Sequence, residues 1–148
     1  MTQRTLTLTA GIIATMLVTL SACGALMMGR RAKPAASEFG TGPRTSARGL
    51  YVATLKDADV LKPRKMYTIQ VAVADAKGQP LSEATIGIGG GMPQHGHGFP
   101  TKARVTKNLG GGSYEIGGLR FNMGGWWELK LTITTPAGTD TVTFNLSL

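Results

Sequence analysis

The sequence predicts an all-β fold: a seven-stranded antiparallel sandwich of immunoglobulin-like size, preceded by an N-terminal signal, a lipid anchor and a tether. Three observations predict it. Apolar and polar residues alternate with period two in short runs between Leu50 and Leu148. Gly, Pro, Asp and Asn recur between those runs as turn signals. The chain has 21 glycines and few long helix-forming runs, which argues against a helical bundle. A 42% hydrophobic content excludes global disorder. A length of 148 residues suits one ordinary domain, or a smaller one with an anchor, and excludes a two-domain nucleotide-binding enzyme.

The strands follow in order. The first lies around Leu50–Leu55. In the second, Tyr67, Ile69, Val71 and Val73 alternate with smaller or polar residues, and Asp75–Gly78 ends it as a turn. Met66, at its start, is expected in the core. Ala84, Ile86 and Ile88 form the third strand, which should stop where the glycine run begins at Gly89. Ala103–Lys107 is a weaker fourth. In the fifth, Tyr114 and Ile116 share one phase while Leu119 and Phe121 take the other, so Gly117-Gly118 reads as a bulge that resets the alternation. Trp127, Leu129, Leu131 and Ile133 make the core face of the sixth. Val142, Phe144, Leu146 and Leu148 make that of the seventh.

The N-terminus has the pattern of an export signal. Arg4 precedes an uncharged apolar run from Thr5 to Leu20, of signal-peptide rather than transmembrane length. It ends in Leu20-Ser21-Ala22-Cys23, which resembles a bacterial lipoprotein signal. That resemblance implies a signal peptide over residues 1–22, cleavage before Cys23 and lipidation of its thiol. Gly24 after it is compatible with sorting to the outer membrane. Cys23 is the chain's single cysteine, which excludes an internal disulfide framework and a Cys-rich zinc or iron–sulfur site. The alternative is an uncleaved transmembrane anchor over Thr5–Gly29, which Arg30, Arg31 and Lys33 would orient with the domain on the cytoplasmic side. Residues 23–48, rich in Gly, Pro, Ala, Ser, Thr and Arg without apolar period, read as a basic tether. As a flexible coil it would reach on the order of 25–30 Å from the membrane. The folded domain is expected over residues 49–148.

The net charge of +8 is unevenly placed. Residues 49–148 hold ten Lys and Arg against seven acids, and the rest of the excess lies beside the apolar N-terminal segment. A nucleic-acid binder would concentrate basic residues on the folded face with aromatics interleaved. The distribution points to a membrane-proximal position and no nucleic-acid partner.

If the strands run alternately up and down, segments 56–65 and 89–102 and the turn Asn122–Gly125 share one pole of the sandwich. Segments 75–83, 108–112 and 135–138 share the other. The chemistry gathers at the first pole. Both histidines of the chain, His95 and His97, lie in Gly89–Pro100. In extended chain, positions i and i+2 project to one side, and Gly96 and Gly98 let the backbone bend until the rings meet. Met92 precedes them, and Met123 lies in the turn at the same pole. Two imidazoles and two thioethers make a soft, neutral ligand set that favours Cu(I), accepts Cu(II), and suits neither Ca²⁺ nor Mg²⁺. The plainer alternative is that the histidines are polar loop residues bonded locally and the methionines apolar anchors. Trp126 carries the phase of Glu128 and Lys130, so a large ring stands on the polar side of its strand. It would cover the site or mark a partner contact.

These residues resemble a known family. Met92-Pro-x-His95-Gly-His97-Gly, Gly112-x-Tyr114, Gly118-Leu119-x-Phe121 and Met123-x-Gly-Trp126-Trp127-Glu128-Leu129 together are similar to the YtkA-like domain, also met in FixH-like proteins of the bacterial envelope. The resemblance covers about Gly49–Leu148. It implies an exported immunoglobulin-like sandwich associated with copper handling or respiratory oxidase assembly. The lipoprotein signal departs from the transmembrane anchor of FixH-like proteins.

No nucleophile elbow, phosphate-binding loop or paired-carboxylate motif is present, so no enzymatic activity is expected. A blue-copper site would lack its thiolate. Two functions remain. One is an envelope lipoprotein that stores copper or delivers it to a copper-receiving envelope protein. The other is a metal-free sandwich that binds another envelope protein through Trp126 and the 89–100 segment.

Overall fold

The computed structural model describes residues 31–58 and 60–148. A short 3₁₀ turn, Ala36–Glu38, precedes β1 (Arg44–Thr45), β2 (Tyr51–Lys56), β3 (Met66–Asp75), β4 (Thr85–Met92), β5 (His97–Gly98), β6 (Arg104–Gly110), β7 (Ser113–Arg120), β8 (Trp126–Thr135) and β9 (Gly138–Ser147). They form two antiparallel sheets, β1-β2-β3-β7-β6 and β5-β4-β8-β9. The seven strands expected from the sequence are the seven long ones, and β1 and β5 add two residues each.

Period-two alternation produces the core. Ala53, Val71, Ile116, Leu129, Ile133 and Phe144 all face inward with no measurable exposure. Each large aliphatic or aromatic side chain so buried contributes about 1.5–3 kcal/mol from removal of apolar surface. The bulge lies where the phase change puts it. Tyr67 faces Leu119 and Ile69 faces Ile116, so Thr68 opposes two residues, Gly117 and Gly118. Gly118 has φ +77, which a Cβ-free residue adopts without strain. Leu119 and Phe121 therefore turn inward like Tyr114 and Ile116. Met66 differs from expectation. It opens β3 beyond the edge of the core and is 58% exposed.

The connections divide between the poles as alternation requires. At the upper pole, the Arg64 N–H donates to Phe121 O (2.7 Å), and Gly125 and Leu148 exchange backbone hydrogen bonds (2.7 and 3.1 Å). At the lower pole, the Leu81 N–H donates to Val73 O and the Val73 N–H to Gly112 O. Tyr51, at the start of β2, donates its hydroxyl to Gly138 O there.

The segment that composition reads as an unpacked tether is attached to the sandwich from Arg31 onward. Arg31 pairs with Glu128 (2.8 Å), Phe39 forms a parallel bridge with Asn145, and β1 joins the edge of β2. Ser46 is buried, and its hydroxyl accepts from the Tyr51 N–H (2.9 Å). Composition hides this strap because its partners are backbone groups and distant side chains rather than a local apolar stripe. Its lower end is held by Asp140, only 5% exposed. Burial acts to raise the Asp140 carboxyl, but hydrogen bonds from the Ser46 hydroxyl and the N–H groups of Thr141, Arg48 and Leu50 outweigh it and lower the pKa to about 2. An unfolded Asp titrates at about 3.9. The folded pKa being the lower, this contribution to stability is complete above about pH 4 and lost as pH falls toward about 2. Thermal melts between these limits should show a weaker pH dependence in Asp140→Asn than in the parent. Parallel slopes would remove Asp140 as the acid-sensitive clasp.

The predicted signal peptide (1–22), Cys23 and the rest of the segment to Arg30 lie outside the described residues. No helix among the described residues is long and apolar enough to cross a membrane.

Candidate metal centre

The glycine run expected as a loop is instead the end of β4. A side chain there would collide with the neighbouring strand on either side. A Cβ on Gly90 would lie 1.9 Å from Glu128 O, and one on Gly91 2.3 Å from His97 O. Glycine thus lets β8, β4 and β5 close up at the upper pole. The chain then reverses through Pro93–Gly96, where the N–H groups of His95 (3.0 Å) and Gly96 (2.9 Å) both donate to Met92 O. Gly96 takes φ +69, and Met92 ends directly opposite His97.

This turn, not strand alternation, brings the histidines together. His95 sits exposed in the turn and His97 half-buried on β5. Their ring centroids are 5.9 Å apart with planes at 35°. Two imidazoles bound to one ion through nitrogens at ~2 Å have centroids no more than about 6 Å apart. The pair is therefore within reach of a shared ion after small rotations.

Trp127 is the platform. His97 meets it edge-on at 5.8 Å, Phe99 stacks parallel to it at 5.5 Å and Phe121 packs against it at 5.2 Å. Its indole N–H donates to Met123 O (3.0 Å), which fixes the Asn122–Gly125 turn over the same ring. Met92 is buried beneath that turn, its methyl carbon 2.9 Å from where a Cβ on Gly125 would stand. Met123 is 40% exposed above it. The structure thus gathers Met92, His97 and the Met123 turn around Trp127, with His95 at the rim. Among the described residues, no three His, Cys, Asp or Glu side chains converge on a metal position. A bound ion would need the thioethers to complete its ligands.

Trp126 does not cover this site. Its phase is the expected one, opposite to Trp127, but the ring is only 3% exposed and its N–H donates to Asn145 Oδ1 (2.9 Å). Asn145 in turn bonds to the strap through Glu38 O and Gly40 N–H. Trp126 is therefore neither the site's cover nor an exposed contact surface. Trp127 and Phe99 are the aromatic residues of the site that sequence reasoning missed. Phe99 shares the i, i+2 phase of His97, the signal that could have placed it there.

Arg31, Met92, His97, Glu128 and Lys130 line an open groove of about 760 Å³ at this pole. Glu128 is nearly buried, with one carboxylate oxygen 2.8 Å from Arg31 and the other 2.8 Å from Lys130. Its charge is already paired, so it supplies no free carboxylate to the imidazoles and thioethers of this pole.

No curated protein matches the chain. Among solved structures it is similar to the ZirS C-terminal domain, 20% identical over 94% of this chain and 97% of that one, at a TM-score of 0.35. The profile of the YtkA-like family matches residues 47–132, a span that contains the His95–His97 turn, Met123 and both tryptophans. The chain belongs to the YtkA-like family.

Proposed function

We propose that this is a copper-binding, non-enzymatic protein of the bacterial envelope, anchored through a lipid on Cys23 and facing the periplasm, with the outer membrane the favoured location. It holds Cu(I) in preference to Cu(II), between His95, His97, Met92 and Met123, for storage or for delivery to a copper-receiving envelope protein. The observation that carries the reading is the convergence of the two imidazoles, 5.9 Å apart, with the buried Met92 and the Met123 turn on one aromatic platform. A neutral four-ligand set leaves a complex of low charge, easier to hold beside an indole face for Cu(I) than for Cu(II). Acid weakens binding, because a protonated imidazole cannot ligate.

Titration of the protein lacking residues 1–30 with Cu(I), against a colorimetric chelator, should show one ion per chain. Met123→Leu should weaken Cu(I) by about tenfold or more and Cu(II) much less, since the thioether matters most to the softer ion. No competition with the chelator would leave the metal-free interaction module as the better account, and equal loss for both oxidation states would remove Met123 as a ligand selective for Cu(I).

A further inference from the structure

We propose that the upper pole is also the membrane-facing surface, lying against anionic phospholipid of the membrane that holds Cys23. This rests on the anchored reading above but not on copper binding. Where the chain outside the described residues ends decides the geometry. Arg31 pairs with Glu128 (2.8 Å), near the upper end of β8, and the strap that follows is tied down at the same end through Phe39, Gly40 and Asn145. Between Cys23 and Arg31 there are only eight residue steps. Even fully extended these span no more than about 28 Å. From Glu128 to the lower end of β8 at Thr135 is about 24 Å of strand. For the lower pole to reach the lipid, that leash would have to be almost fully stretched and folded back along the whole domain.

Surface chemistry points the same way. Three of the four exposed large apolar side chains among the described residues, Val60 (72%), Met66 (58%) and Met123 (40%), belong to upper-pole segments. Interleaved with them are the exposed Lys62, Arg64 and Lys65. Segment 56–66 carries four basic residues against two acids, whereas lower-pole segment 75–83 carries one against two. Basic residues beside exposed apolar ones match the headgroup region of an anionic bilayer, where the first meet lipid charge and the second the acyl boundary. Segment 75–83 at the lower pole offers no such excess of positive charge.

The lipidated protein beginning at Cys23, with copper withheld, can be reconstituted in phosphatidylethanolamine–phosphatidylglycerol vesicles and, for comparison, in phosphatidylcholine vesicles. A water-soluble amine-acylating reagent is applied to floated vesicles, and labelling is read by peptide mass spectrometry. Lys62 and Lys65 should label several-fold more slowly on the anionic vesicles than on the neutral ones, with the difference reduced at high salt, while Lys77 keeps one rate throughout. Equal rates for Lys62 and Lys65 on both vesicles, or slowing of Lys77 instead, would overturn the orientation. Failure to float with either vesicle would remove the anchor, and this proposal with it, without touching the copper reading.

Discussion

Replacing both His95 and His97 by alanine should cost more than a hundredfold in Cu(I) affinity while leaving the fold in place. Outer-shell partners of a metal site typically matter by 10–100-fold, and these two residues supply the only nitrogen ligands proposed. Their structural weight is small by comparison. His95 is exposed in a turn whose hydrogen bonds are made by backbone N–H groups, which alanine retains. His97 gives up its edge contact with Trp127, an aromatic contact worth about 0.5–1.5 kcal/mol. A strand-type circular dichroism spectrum and a melt within that range should therefore accompany the loss of metal. A double variant that binds copper as tightly as the parent would end the proposal. One that fails to fold would show that the turn is held by its side chains.

Trp127→Ala should be the most destabilising single change at the site, at about 3–5 kcal/mol. Total stabilities of about 5–15 kcal/mol make that a large fraction. The ring has no exposed surface and touches His97, Phe99 and Phe121, so its removal leaves a cavity bounded by two rings and the floor of the metal site. Trp127→Phe separates packing from positioning. It keeps a ring but loses the N–H bond to Met123 O, which should cost about 1 kcal/mol. Cu(I) affinity should drop further than stability does, because the Met123 turn is released. Denaturant midpoints for the two variants, read beside their chelator-competition curves, check both parts. A loss below about 1 kcal/mol for Trp127→Ala would contradict the platform role.

The fold was legible because a strand writes its buried face into every second residue. Tyr67 to Val73, Trp127 to Ile133 and the phase slip at Gly117-Gly118 needed nothing beyond that rule. Gly89–Gly91 was misread because glycine in a sequence looks the same whether it ends a strand or lets three strands crowd together. Only the Glu128 and His97 carbonyl oxygens show which applies. The strap was hidden for a related reason. Asp140 and Asn145 hold it through hydrogen bonds to Arg48, Leu50, Glu38 and Gly40 across long sequence separations, and no local period records those. At the site, the grouping of Met92, His95, His97 and Met123 at one pole followed from strand counting. The conformation of the histidine pair did not, because a four-residue turn replaced the extended chain. Trp126 shows the limit most clearly: its phase was right, but it is buried with Asn145, which accepts its N–H and is itself tied to the strap at Glu38 and Phe39, far earlier in the sequence.

The proposed copper ligands are the imidazole nitrogens of His95 and His97 and the thioether sulfurs of Met92 and Met123. X-ray absorption at the copper K-edge, on the Cu(I)-loaded protein lacking residues 1–30, reads those atoms directly. The account predicts a mixed shell of imidazole nitrogen at ~2.0 Å with thioether sulfur beyond it, the sulfur signal falling in Met123→Leu and the imidazole signal vanishing in the double histidine variant. A shell of nitrogen and oxygen alone, unchanged by loss of Met123, would contradict it.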